Sequence, residues 1–298
     1  EVQLLLGQSY EGEAAAQAAA GAAGQDVGYL YELAKAAYNH ALKVSPQDDT
    51  RAAVGFMNLS IYQFGEHEQV LDMADVMMDE GRADGEILLM RGCAGVFHYW
   101  AAASAEENEV ADARWDQAVE DFIAADLLLG SNRHEPWAQL SWLYEQKEKP
   151  EDAVSAATKA YDLQEGSNFF TLYRLAKRYS GEGQYAVATQ SLQNMVERQP
   201  DELVQWIQSE EDPTGTVQSL AYAPLMSKIN KGDLRGAKPI FDILSQADPD
   251  DAGFWNNYGL LCRDTGDYQV SLSAYRRSLA LDNTDPRVTN DTAVILHY

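Results

Sequence analysis

A pattern of large and small side chains recurs along this chain of 298 residues, and its clearest copy spans 252–285. Apolar residues return there at the spacing of one helical face, pause at a Gly-Asp-Tyr turn, and then return at the same spacing. The positions that define the copy are Trp255, Tyr258, Gly259 and Cys262 in the first half, and Ser271, Tyr275 and Ser278 in the second. The spacing predicts two helices joined by a short turn.

Further copies of the pattern keep the same phase over nearly the whole chain. Two of them are complete: Trp137, Leu140, Ser141 and Tyr144 with Ala153, Ala157 and Ala160, then Leu172, Leu175, Ala176 and Tyr179 with Ala188, Leu192 and Met195. Second halves also occur around Tyr38, Phe122 and Phe241. Small residues at fixed positions let two helices approach closely, while bulky residues fill the groove beside the next helix. The phase predicts a stack of helix pairs.

The order of residues resembles the tetratricopeptide repeat, a helix–turn–helix of roughly 34 residues. Period-2 runs of β-branched residues are scarce, which agrees with an all-α chain. The resemblance implies a right-handed superhelical solenoid of about seven helix–turn–helix units with a terminal partial unit. We expect a single domain over 1–298.

The period places the units and the segments that interrupt them. We expect units at about 1–48, 51–84, 85–130, 134–167, 169–202, 218–251 and 252–285, and a partial unit at 286–298. Insertions are expected at about 12–26, 98–113 and 203–217. The Asp-Pro-Thr-Gly stretch at 212–215 predicts a turn inside the last insertion.

Charge narrows the classes of partner. The chain has 22 Lys and Arg against 47 Asp and Glu, a net charge of −25. Nucleic acid and anionic lipid both require a cationic surface, so we expect neither as a partner. The apolar stretch 87–105 contains Arg91 and His98, which favours a buried helix over membrane insertion.

Catalytic and metal-binding patterns are absent from the sequence. Its five histidines are scattered, and no phosphate-binding loop or nucleophile elbow occurs. We therefore expect no enzyme activity, no catalytic residues, no cofactor and no metal. Cys93 and Cys262 are far apart and favour free thiols in a reducing compartment, which indicates the cytoplasm. A processed N-terminus would leave the periplasm or another compartment open.

The resemblance also implies where a partner binds, because tetratricopeptide repeats hold peptides in a concave groove lined by their first helices. The predicted partner-binding residues are Phe56, Tyr62, Trp142, Phe170, Tyr173, Arg174, Lys177, Tyr222, Asn256, Asn257, Arg263 and Arg287. Aromatic residues are favoured anchors in interfaces, Arg and Lys hold carboxylates, and amides bind peptide backbone. Two other interpretations stay open, namely that several of these aromatics are core and that Arg174 and Lys177 pair with neighbouring carboxylates.

The function expected from the family resemblance is a non-catalytic scaffold that binds a peptide or protein segment in this groove. Two alternatives follow from the same features. The chain could be the substrate-docking region of a larger enzyme, or a structural scaffold that self-associates through open ends of the solenoid.

Overall fold

The computed structural model describes residues 1–20, 25–44, 50–163 and 170–297, with the side chains of Gln25 and Phe170 left out. Within these ranges the chain forms sixteen α-helices and one 3-10 turn, and no strand occurs there. None of the described helices is both long and apolar enough to cross a membrane. The prediction of an all-α helical-repeat fold is confirmed.

The chain divides into two compact units, with Glu1–Lys147 in the first and most residues from Glu148 onward in the second. The helices of the first unit are α1 Val2–Ala19, α2 Gln25–Val44, α3 Thr50–Tyr62, α4 His67–Asp79, α5 Gly85–Ser104, α6 Asn108–Leu128 and α7 Glu135–Gln146. The second unit contains most of α8 Pro150–Leu163, then α9 Phe170–Gly181, α10 Tyr185–Arg198, α11 Pro200–Ser209, α12 Pro213–Lys231, α13 Leu234–Leu244, α14 Ala252–Asp264, α15 Tyr268–Leu281 and α16 Pro286–Ile295. Consecutive helices pack as pairs in both units, such as α5 with α6 and α14 with α15.

At several helix contacts an aromatic ring crosses a glycine of the neighbouring helix. The Tyr38 ring on α2 packs over glycines of both α1 and α3, where a Cβ built on Gly7 or Gly55 would lie 2.5 Å or 2.6 Å from a ring carbon. Gly92 on α5 meets the Phe122 ring of α6 at 2.8 Å in the same way. Real Cβ atoms do not approach so closely, so glycine at these positions is what allows the helix pairs to close.

Each unit has its own apolar core. In the second unit the core runs from α8 to α15 and includes Leu172, Leu220 and Phe241, all at most 3% exposed. In the first unit, Leu4, Tyr38 and other side chains of α1, α2 and α3 form one buried cluster. Burying apolar surface in this way is the main stabilising term of each unit.

The segments that break the period are largely helical. Residues 98–104 extend α5 and residues 108–113 open α6, whereas 21–24 of the first expected insertion lie outside the described residues. The expectation of a turn at 212–215 is wrong, because Asp212 caps α12 by accepting a hydrogen bond from the Gly215 amide at 2.9 Å. Pro213 then begins the helix, where its missing N–H has no partner to lose.

Candidate functional site

A cleft of about 180 Å³ lies on the second unit between the successive first helices α12 and α14. Its lining residues are Gln218, Ala221, Tyr222, Leu225, Phe241, Asp251, Gly253, Phe254 and Asn257. Two of these, Tyr222 and Asn257, are among the residues that the sequence predicts to contact a partner. The structure therefore brings one predicted aromatic side chain and one predicted amide into a single recess.

The floor of this cleft is apolar and its edge is polar. Phe241 and Phe254 are at most 3% exposed and stack with ring centroids 5.1 Å apart, which gives a rigid base. At the edge, the Gln218 amide donates to the Asp251 carboxylate at 2.9 Å. The same carboxylate caps α14 by accepting a hydrogen bond from the Gly253 amide at 2.8 Å. Asp251 therefore links α12 to the start of α14 at the edge of the cleft.

Aromatic side chains continue from this cleft across the second unit. Tyr222 is 48% exposed and meets the Tyr185 ring edge-on at 5.8 Å, and a hydrogen bond between the two raises the pKa of Tyr185. Tyr173 on α9 meets Trp206 on α11 edge-on at 5.1 Å. Tyr173 also lines a recess of about 40 Å³ together with Lys177. The exposed parts of these rings offer apolar contact area that is already ordered.

Two of the predicted cations, Arg263 and Arg287, form ion pairs within their own unit. Arg263 lies 3.1 Å from Asp264 and 3.3 Å from Asp291, and the 84%-exposed Arg287 lies 2.8 Å from Asp285. Hydrogen bonds from Arg287 lower the pKa of Asp285. Ion pairs that are partly open to solvent in this way contribute little stability.

Four further predicted positions of the second unit have different surroundings. Arg174 and Lys177 lie exposed on α9. Asn256 sits beside Asn257 on α14 but does not line the cleft, and its Oδ1 atom is buried with no hydrogen-bond partner in the described part of the chain. Phe170 begins α9, and its side chain lies outside the described residues.

The predicted residues of the first unit are dispersed. Phe56 is 6% exposed and packs in the core of α1, α2 and α3, with the Lys35 ammonium 5.1 Å from its ring centre. Tyr62 is 49% exposed and meets Phe97 edge-on at 6.4 Å. Trp142 is half-buried and meets Tyr99 edge-on at 6.2 Å. Of the three, only Tyr62 and Trp142 have surface to offer a partner.

Sequence reasoning did not find two of the aromatic residues on the second unit. Trp206 lies on α11, in a segment expected to be an insertion, and Tyr185 begins a second helix, where no partner-binding residue is expected. The helical spacing of Leu203, Trp206 and Ile207 was a signal for α11.

Burial raises the pKa values of two cysteine thiols and of one tyrosine hydroxyl in this protein. Burial raises the pKa of the Cys93 thiol and of the Cys262 thiol to about 11, which keeps both protonated and poorly nucleophilic at neutral pH. Burial also raises the pKa of the Tyr62 hydroxyl, and Cys93 raises it further. Within the described ranges, no group of three His, Cys, Asp or Glu side chains could hold a metal ion.

Comparison with known proteins gives one family match. The tetratricopeptide repeat model matches residues 134–166 and 252–285, the segments that form α7 with α8 and α14 with α15. No curated protein matches the chain in sequence at a significant level.

Solved structures resemble the chain at low sequence identity. A chain of the APC/C hetero-tetramer Cut9–Hcn1 is 16% identical with a TM-score of 0.36, and the match covers 92% of this chain and 50% of that one. The C-terminal part of a TPR repeat-containing protein from Cytophaga hutchinsonii is 13% identical over 88% and 94% of the two chains, with a TM-score of 0.41. A tetratricopeptide repeat protein from Parabacteroides merdae is 11% identical over 98% and 99%, with a TM-score of 0.39. The chain thus spans half the length of the first of these.

In both matched segments the sequence pattern is complete, and the structure has one helix on each side of a short turn. The chain therefore carries tetratricopeptide repeats at residues 134–166 and 252–285.

Proposed function

We propose that this chain is a non-catalytic scaffold that binds a segment of another protein across α12 and α14. The observation that carries the proposal is the cleft lined by Tyr222 and Asn257 over the stacked Phe241 and Phe254 rings. Tetratricopeptide repeats are protein-interaction modules, and this cleft lies between two successive first helices.

The size of the cleft favours a side chain of a peptide over a small-molecule ligand. Pockets for small molecules are commonly about 300–1,000 Å³, whereas this cleft measures about 180 Å³. An apolar side chain of the partner would enter against Phe241 and Phe254. The Asn257 amide, which both donates and accepts, would hold the partner backbone beside it.

Exposed cations on the same unit support a partner that carries carboxylates. Arg174 and Lys177 lie exposed on α9, and Arg263 and Arg287 form ion pairs with Asp291 and Asp285, whose side chains are only 24% and 25% exposed. Guanidinium and ammonium groups form strong hydrogen bonds to carboxylates. We therefore propose an apolar segment flanked by Asp or Glu as the ligand, with Tyr173 as a further contact.

The double variant Tyr222→Ala/Asn257→Ala is expected to bind the partner at least about tenfold more weakly, as is usual when an interface loses an aromatic anchor. The measurement is affinity purification from the native lysate with quantitative mass spectrometry, followed by titration of peptides from the captured protein. The matched control is Tyr29→Ala/Asn108→Ala, which makes the same two changes at exposed positions of the first unit. Equal capture by both double variants would overturn the placement of the site.

Self-association is a second candidate function, because α1 exposes a cluster of apolar side chains. Val2, Leu5 and Leu6 are 70%, 54% and 38% exposed on its outer face. We expect light scattering to show a mass that rises with concentration, and Leu5→Lys/Leu6→Lys to abolish the rise. Leu127→Lys/Leu128→Lys, at a second adjacent exposed pair, should leave it intact. A monomer mass at every concentration would rule this candidate out.

The two cysteines support a reducing compartment for the scaffold. Both are buried free thiols. We propose the cytoplasm on this ground, since disulfides are rare there and unpaired cysteines are stable.

A further inference from the structure

An open apolar cleft lies on the first unit, on helices that the predicted groove does not use. It measures about 420 Å³ and is lined by Leu42 of α2 and by Met73, Val76 and Met77 of α4. Met77 is 2% exposed and forms the base, whereas Val76 is 56% exposed at the open side. Both α2 and α4 are second helices of their pairs, so this surface is distinct from the cleft on α12 and α14.

The side chains that line the cleft suit a bulky apolar guest. Methionine is unbranched and polarisable, and it adapts to partners of different shape, which is why it is frequent on surfaces that bind helices. Two of the four apolar lining residues are methionine, and a third, Met78, is 37% exposed on the same helix. Val76 lies beside them and is exposed to water, so a partner that buries it would gain favourable free energy from the apolar surface removed from water.

The rim of the cleft carries an excess of negative charge. Asp72, Glu80 and one cation, Arg82, line it, and Asp75 and Asp79 are exposed on the same helix. Arg82 lies 2.9 Å from Glu80, and Arg91 lies 2.8 Å from Asp75. Asp72 and Asp79 have no cationic partner among the described residues. Uncompensated carboxylates beside an apolar cleft attract a partner that is apolar on one side and basic along its edge.

We propose that this cleft binds an amphipathic helix of a partner protein, with large apolar residues on one face and Lys or Arg beside them. Helix-in-groove recognition places apolar residues at i, i+3, i+4 and i+7 into such a surface. The apolar face would rest on Met73, Val76 and Met77. Its flanking cations would face Asp72 and Asp79, which gives the complex its orientation and its dependence on salt. The site is independent of the groove proposed above and would survive failure of that proposal.

The test uses the full chain and two synthetic peptides of about 18 residues, long enough to form helix in isolation. One peptide has Leu at the positions of one helical face and Lys at all remaining positions. The second peptide has Glu wherever the first has Lys. Fluorescence anisotropy gives the affinity of each at two salt concentrations. We expect the Leu–Lys peptide to bind and to weaken as salt rises, and the Leu–Glu peptide to bind at least about tenfold more weakly, because steering and register depend on charge.

Matched variants separate this cleft from the general acidity of the chain. Val76→Lys is expected to weaken the Leu–Lys peptide by at least about tenfold, whereas Val110→Lys, at a 48%-exposed valine of α6, should change it little. Asp72→Asn/Asp79→Asn should weaken the peptide and flatten its salt dependence, whereas Asp116→Asn/Glu120→Gln removes the same charge from α6 and should do neither. Circular dichroism checks that each variant is folded.

Three results would overturn the proposal. The first is equal binding of the two peptides, and the second is equal weakening by Val76→Lys and Val110→Lys, since both would mean adhesion to the surface as a whole. The third is a wild-type dimer that Val76→Lys dissociates, which would make a second copy of this chain the occupant.

Discussion

Arg91→Leu is expected to lower the free energy of unfolding of the first unit by about 3–5 kcal/mol, the usual cost of removing one partner of a buried ion pair. Arg91 is 9% exposed on α5, and Asp121 is 3% exposed on α6. The guanidinium donates to both carboxylate oxygens, from Nη2 at 2.6 Å and from Nε at 2.9 Å. With leucine in its place, the one remaining hydrogen-bond donor to the buried carboxylate among the described residues is the Gln117 amide, at 3.2 Å.

The same variant is expected to become relatively more stable in acid. Burial raises the pKa of Asp121, and the hydrogen bonds from Arg91 oppose that rise. Without Arg91 the pKa in the folded state rises further above its unfolded value. A folded state that holds a proton more tightly is favoured below the unfolded pKa and loses that advantage as pH rises through the folded pKa. The deficit against the wild type should therefore be smaller near pH 4 than at pH 7.

Hydrogen exchange of α5 and α6 together with urea unfolding measures this cost in the first unit. Asp121→Leu should be destabilising for the same reason, because it strands a guanidinium. The double variant Arg91→Leu/Asp121→Leu should cost less than the sum of the two single variants, since it removes both buried charges. Single variants that each cost under about 1 kcal/mol would mean that the pair is effectively solvated.

The repeat could be predicted from sequence because its signal is local. An aromatic ring needs a small residue opposite, and pairs such as Gly92 with Phe122 recur at a spacing that the chain displays directly. The sequence analysis does not predict α11, because it places helices by the repeat period and α11 falls outside that period. Leu203, Trp206 and Ile207 have helical spacing, but they fall outside the expected length of the fifth repeat and so were assigned to an insertion.

The candidate site was predictable only in part. The position of a residue within a repeat predicts which face of the helix it occupies, but not which neighbouring helices cover that face. Tyr222 and Asn257 come from successive repeats and meet in one cleft. Phe56 was assigned to the groove by the same rule, yet it packs in the core of the first unit because α3 is covered by its neighbours there. The cleft on α2 and α4 does not follow from the same rule, because the rule assigns partner-binding residues to first helices and both α2 and α4 are second helices.

Gly259→Leu is expected to destabilise the second unit by about 3 kcal/mol or more, at the upper end of the cost of overpacking a core. A Cβ at this position would lie 2.7 Å from two carbons of the Tyr275 ring, and that ring is fully buried. The extra side chain must push α14 away from α15, or force Tyr275 out of its rotamer. Either change breaks the helix pair that the sequence pattern shows most clearly.

The control for Gly259→Leu is Gly12→Leu, because Gly12 also lies within a helix but has no atom within 4 Å of its built Cβ. That change should be neutral or stabilising by about 1 kcal/mol, because leucine has a higher helix propensity than glycine. Tyr275→Ala alone should be destabilising through the cavity it leaves. The double variant Gly259→Leu/Tyr275→Ala exchanges large and small across the contact, so urea unfolding should show a cost at least about 1 kcal/mol below the sum of the singles. Strict additivity would mean that the ring and the glycine are not the contact that closes the pair.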